Sequence, residues 1–176
     1  MRDDKPGVVV VLTGEGKGKS SSAFGMVLRA AGWEMRVCVL QFIKSAKRRT
    51  GERMAAERLG VEWHALGDGF TWKQPDPERN LAIARQAWNV CLEKLASGRY
   101  DLVVWDEIHY AIGYGWLSGA EVAEAIRTVK PPATHLILTG RAAPPEVIAA
   151  ADTVSEILEI KHAFKAGIRA AKGVEF

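Results

Sequence analysis

The sequence predicts an α/β fold of three layers, with a mostly parallel sheet of about six strands and helices on both faces. Three observations point there. Short β-branched runs alternate with longer amphipathic segments, the pattern of strands joined by crossover helices. Val8-Val9-Val10-Val11-Leu12 is an unbroken apolar run, as a strand buried on both faces requires. That run passes directly into a glycine-rich turn and then a helical pattern.

The first helix is expected to continue through Phe24, Val27 and Leu28 to Gly32. Further strands are expected at Val37 to Phe42, Val61 to Leu66, Leu102 to Trp105, His135 to Leu138 and Val154 to Ile160. Asp76 and Pro77 supply the cap and first position of another helix. In it Leu81, Ala84, Trp88, Cys91 or Leu92, and Leu95 recur at helical spacing until Gly98. Ser118 and Glu121 have capping-box spacing ahead of Val122, Ile126 and Val129, and Pro131-Pro132 ends that helix. No repeat, low-complexity tract or linker divides the chain, so residues 1–176 are expected to form a single domain.

Composition narrows the class. The chain has 176 residues, 48% hydrophobic and 26% charged, which fits a packed globule and excludes disorder, collagen and coiled coil. No apolar run approaches the ~18 residues of a membrane helix. Met1 to Pro6 lacks the apolar stretch of a secretory signal. Cys38 and Cys91 match no ligand or disulfide spacing and read as reduced core thiols, so a cytoplasmic location without a membrane partner is expected. Lys and Arg (24) exceed Asp and Glu (21) by only 3, too few to argue for nucleic acid but suited to a small anionic ligand.

The chemistry starts at Gly14-Glu15-Gly16-Lys17-Gly18-Lys19-Ser20-Ser21. A strand, a glycine-rich turn, Lys-Ser and a helix, in that order, make a phosphate-binding P-loop. Glycines let backbone amides converge on phosphate oxygens, and the helix N-terminus adds positive potential. Lys19 supplies a mobile charge, and the Ser20 hydroxyl can complete the shell of an Mg²⁺ ion, with Mn²⁺ as a substitute. The standard spacing asks for glycine where Thr13 stands; the first glycine, Gly14, comes one place late. The loop is expected to bind a nucleoside triphosphate without saying which bond breaks.

Leu102-Val103-Val104-Trp105-Asp106-Glu107 is an apolar strand ending in two carboxylates, expected beside the first strand. Successive strand residues face opposite ways, so Asp106 and Glu107 are expected to do different jobs, one at the metal and one bracing. The pair leaves open which of the two meets the metal, and whether Glu107 serves as a general base for water. A small-molecule kinase or ATPase is the alternative use of such a loop. A nucleic-acid motor is disfavoured by the near-neutral charge.

Four further stretches specify more: Gln41-Phe42-Ile43-Lys44 with Gly51-Glu52, Gly69-Phe70-Thr71-Trp72, Leu138-Thr139-Gly140-Arg141, and Lys161-His162-Ala163-Phe164-Lys165-Ala166-Gly167. With the loop and Trp105-Asp106-Glu107, in this order, the chain closely resembles the P-loop type of ATP:corrinoid adenosyltransferase, from about Val8 to Phe176. The late glycine is part of that family's pattern. The resemblance implies a RecA-like P-loop fold and transfer of the 5′-deoxyadenosyl group of ATP to a Co(I) corrinoid, with triphosphate leaving intact, in cobalamin biosynthesis or salvage. The cobalt is then the nucleophile, consistent with the lack of a Ser, Cys or His triad.

By the same resemblance Thr13, Gly14, Glu15, Gly16, Lys17, Gly18, Lys19, Ser20, Ser21 and Arg29 bind ATP, Lys19 and Glu107 are the catalytic groups, Ser20 and Glu107 hold the metal, and Phe70 and Trp72 line the corrinoid. A homodimer and a flavin or flavoprotein reductant are implied in the same way. Lys44 and Arg141 read as phosphate or corrin contacts or as solvated residues, and His162 as a structural hydrogen-bonding group. Trp33, Trp63, Trp88, Trp105 and Trp116 are assigned to packing.

Overall fold

Every strand runs parallel to its neighbours, and the crossovers this requires place helices on both faces. The computed structural model describes residues 5–45, 47, 49–69 and 76–175. Strands β1 (Val9–Thr13), β2 (Val37–Ser45), β3 (Glu62–Gly67), β4 (Leu102–Asp106), β5 (His135–Thr139) and β6 (Thr153–Glu156) form one sheet in the order β3-β2-β4-β5-β1-β6. Helices α1 (Lys19–Gly32) and α2 (Gly51–Arg58) cover one face. Helices α3 (Pro77–Ala96), α4 (Ile108–Gly113), α5 (Gly119–Thr128) and α6 (Pro145–Ala149) cover the other.

Strand alternation sorts the apolar side chains into two cores. Leu12, Val39, Val104 and Ile137 meet Ala23, Val27 and Ala30 of α1. Cys38, Leu40, Val103, Trp105 and Leu138 pack with Trp88, Cys91 and Leu95 of α3 and with Val122 and Ile126 of α5. Trp88 meets Trp105 edge-on, with ring centroids 5.1 Å apart. Both cysteines are free and buried, and burial pushes the Cys38 thiol up to about 12, so the core-thiol reading fits. Asp76 caps α3 by accepting the Arg79 N–H at 3.0 Å. Ser118 and Glu121 exchange both bonds of a capping box, at 3.1 and 3.0 Å.

The structure corrects four expectations. The acidic strand β4 is not beside β1: β5 pairs with both and stands between them. The sixth strand stops at Glu156, because beyond it the backbone bonds the phosphate loop instead of a strand. Trp33 is 79% exposed at the end of α1 and is not a packing residue. Leu81, counted in the apolar repeat of α3, is likewise exposed, since the buried stripe of that helix runs through Ala84, Ala87 and Trp88. The short helices α2, α4 and α6 carry too few apolar residues at helical spacing to announce themselves. Among the described residues, no helix is long and apolar enough to cross a membrane.

Candidate active site

The glycines of the loop are explained by what lies behind them. A Cβ on Gly14 would come within 2.5 Å of the Ile157 carbonyl oxygen, and one on Gly16 within 2.5 Å of that of Leu158. The Gly16 N–H donates to the Ile157 carbonyl at 2.7 Å, and the Ile157 N–H donates to the Thr13 carbonyl at 2.9 Å. Gly18, at φ +129, then turns the chain into α1. That helix has no side-chain cap and no acid in its first turn; Lys19 is its first residue. A cation there opposes the helix dipole, and the arrangement is favourable once an anion sits on the free amides. The Lys19 ammonium donates to the Gly14 and Gly16 carbonyls, at 2.6 Å each.

The loop floors an open cavity of about 530 Å³ at the carboxyl ends of the strands. Glu15 through Ser21 line it, facing Phe24 of α1, Lys44 of β2, Glu52 of α2, Tyr110 of α4, Arg141, His162 and the segment 173–175. Its charges pair across these segments: Arg141 with Glu15 at 3.2 Å and Lys17 with Glu175 at 2.8 Å. Burial and the neighbouring Arg141 charge lower the Lys19 ammonium below its ordinary value, while Glu15 and Glu107 act in the other direction. His162 accepts the Phe164 N–H at 3.1 Å and caps the 3-10 turn Ala163–Ala166, as a structural histidine does.

Beneath the cavity lies a chain of hydrogen bonds among side chains from four strands, running from the start of β3 to the carboxyl ends of β4 and β5. The Trp63 indole N–H donates to Gln41 Oε1 at 3.0 Å, and Gln41 Nε2 donates to Asp106 Oδ2 at 2.7 Å. The Thr139 hydroxyl donates to Asp106 Oδ1 at 2.7 Å and accepts the Glu107 N–H at 2.9 Å. Asp106 is fully buried, with the Lys44 ammonium 3.7 Å from Oδ2. Glu107 has a left-handed backbone, φ 64, which costs of order 1–3 kcal/mol in a non-glycine residue unless its surroundings hold it. The carboxylate acts electrostatically on Lys19 and Tyr110, both at the cavity wall.

The structure thus gathers Glu15, Gly16, Lys17, Gly18, Lys19, Ser20 and Ser21 around one cavity; Glu107 is not among its lining residues and acts on Lys19 electrostatically. Thr13 and Gly14 stand behind the loop; the Thr13 hydroxyl accepts the Ala143 N–H at 3.0 Å. Arg29 is exposed in the last turn of α1 and is not among the cavity-lining residues. Phe70 and Trp72 lie outside the described residues. A serine hydroxyl and a carboxylate are hard oxygen donors, so the Ser20 and Glu107 pair fits Mg²⁺. A second cluster, Cys38, Glu62 and His64, brings its ligating atoms within 4.8 Å of one another. There the Lys94 ammonium already sits 2.7 Å from Glu62 Oε1, where a cation would compete.

Gln41 and Thr139 lie in stretches that stand out in the sequence, but their part in holding the acidic pair is legible only once strand register is known. Tyr110 follows Glu107 by three residues, a single helical turn, and that spacing was a usable signal. Glu175 offered none: it is far from the loop in sequence.

A family model described as ATP:corrinoid adenosyltransferase BtuR/CobO/CobP matches residues 5–176. The corrinoid adenosyltransferase of Pseudomonas aeruginosa is 49% identical over 175 residues, covering 98% of this chain and 85% of that protein. The corrinoid adenosyltransferase of Escherichia coli K12 is 39% identical over 173 residues, covering 98% and 87%. Among solved structures, EssC (ATPases 2 and 3) from Geobacillus thermodenitrificans aligns over 96% of this chain and 36% of its own, with a TM-score of 0.51 at 10% identity. That last likeness concerns the fold.

Proposed function

The chain belongs to the ATP:corrinoid adenosyltransferase family, and we propose that the cavity between the phosphate loop and Tyr110 is where it transfers the 5′-deoxyadenosyl group of ATP to a Co(I) corrinoid. The Co(I) electron pair attacks the ribose 5′ carbon and becomes the cobalt–carbon bond, while the carbon–oxygen bond breaks and triphosphate leaves with the electrons of that broken bond. The substrates supply nucleophile and leaving group. The protein must place them in line and stabilise the charge that gathers on the triphosphate.

The observation that carries this reading is the convergence of Lys19 and the uncapped amides of α1 on one cavity. Lys19 exchanges the loop carbonyls for phosphate oxygens, a rotation of its own side chain. Lys17 exchanges Glu175, and Arg141 exchanges Glu15, in the same manner. Ser20 and Glu107 would hold an Mg²⁺ ion, which neutralises charge on the phosphates. Phe24 and Tyr110 supply apolar wall for the adenosine, and burial raises the Tyr110 hydroxyl so that it stays a neutral donor. The whole chain, 1–176, works as one nucleotide-binding domain.

Phe70 and Trp72 belong to the corrinoid side, by similarity to the family. Aromatic faces there would keep a lower ligand off cobalt and ease its reduction by a flavin or flavoprotein. Arg29, exposed in the last turn of α1, is assigned to ATP by similarity to the family alone. A homodimer in the cytoplasm completes the reading.

Product analysis tests it. With ATP, Mg²⁺ and chemically reduced corrinoid, the spectrum should shift to that of a cobalt–carbon bond. No nucleotide should be consumed when the corrinoid is omitted. ADP formation independent of corrinoid would instead mark a kinase or ATPase.

A further inference from the structure

The bonded chain beneath the cavity is more than core chemistry. Its members come from four strands: Trp63 from β3, Gln41 from β2, Asp106 from β4 and Thr139 from β5. Asp106 is the hub and is fully buried, so its carboxylate cannot itself meet a ligand in the cavity. Both of its oxygens are occupied, one by Thr139 and one by Gln41. Outward the chain reaches the backbone N–H of Glu107, through the Thr139 hydroxyl, and the ammonium of the cavity-lining Lys44, 3.7 Å from Asp106 Oδ2. That hydroxyl both donates and accepts, so its orientation is fixed by the two bonds together. Glu107 is one of three non-glycine residues with positive φ among the described residues, and it opens α4 without a side-chain cap.

Taken together, these contacts account for a strained residue held from beneath near the site. We propose that Thr139, Asp106 and Gln41 are positioning residues that lock Glu107 in its left-handed conformation and thereby set how tightly the divalent cation accompanying ATP is held. The proposal rests on the reading above in which Glu107 is a metal ligand. Trp63 anchors the far end of the chain and packs its ring 5.0 Å from that of Phe24, a cavity-lining residue. The cation side and the nucleotide wall therefore share one support.

The test is binding of Mn²⁺ in the presence of ATP, followed by the loss of the free-ion paramagnetic resonance signal, without corrinoid and without turnover. Thr139→Val keeps shape and removes both bonds; it should weaken Mn²⁺ about tenfold, the loss typical of groups that orient a metal ligand. Thr139→Ser keeps the hydroxyl and should stay within about twofold of the parent. Glu107→Gln should lose at least as much as Thr139→Val. If Thr139→Val fails to fold, Asp106→Asn is read in its place: it presents a donor where an acceptor is needed, and the same loss is expected. Full Mn²⁺ affinity in Thr139→Val or Asp106→Asn beside a weakened Glu107→Gln would overturn the positioning role alone. Full affinity in Glu107→Gln would overturn the metal reading on which it rests.

Discussion

Two carboxylates on one sheet, Asp106 and Glu62, show how partners rather than burial decide what an acid does. Glu62 begins β3, at the amino ends of the strands, and is surrounded by cations and donors: Lys94 at 2.7 Å, His64 at 2.6 Å and the Tyr100 hydroxyl at 2.6 Å. Burial pushes its carboxyl up, but these bonds outweigh that and hold it at about 2. Its oxygens are spoken for, and it ties α3 to the sheet. Asp106 ends β4, at the carboxyl ends, and its closest contacts are neutral donors, so what it transmits is orientation. One end of the sheet should answer to mutation in stability, the other in turnover.

The largest expected separation comes from Lys19→Ala. Turnover should fall about 100-fold or more, as when a donor to developing negative charge is removed. Thermal unfolding should barely move, because the lysine bonds only loop carbonyls. A steady-state assay beside a melting curve checks both. A comparable fall in melting temperature would erase the contrast between the two ends.

At the other end, Tyr100→Phe removes one hydrogen bond to Glu62 and should cost about 1 kcal/mol of stability in a denaturant titration, with turnover kept. The pH dependence follows from the direction of the Glu62 shift. Its carboxyl titrates below its ordinary value of 4.5 in the folded chain, so the stability it adds is present above pH 4.5 and lost as pH falls toward about 2. Glu62→Gln should flatten that acid limb between about pH 4.5 and 2 and leave the slope near pH 7 unchanged. An unchanged acid limb would remove Glu62 from the account.

The smallest effect is expected at Glu175→Gln. Its pair with Lys17 is partly exposed and is worth under about 1 kcal/mol. Freed of that partner, Lys17 should bind ATP slightly more readily, seen as a modest fall in KM without a change in melting temperature.

Much of the architecture was legible because it is periodic. The run Val8 to Leu12, the capped starts at Asp76 and Ser118, and the loop glycines each carry a local signal. The features misplaced are those that depend on the third dimension. No local pattern says that β5 comes between β1 and β4, and therefore none says that Thr139 bridges the acidic pair. That Asp106 and Glu107 enter different surroundings was foreseeable from strand alternation. Which of them is buried was not, because that depends on Gln41 and Thr139 arriving from neighbouring strands. Trp33 was misread because a large apolar residue is usually inside, whereas α1 turns it outward.

The claim at the centre is that the loop end of the sheet stabilises a departing triphosphate. Calorimetric titration of inorganic triphosphate with Mg²⁺ measures this without cobalt, adenosine or turnover. Saturable binding is predicted for the parent chain and for Tyr100→Phe alike, weakened about tenfold or more in Lys19→Ala. No binding to the parent, or equal binding to Lys19→Ala, would contradict it.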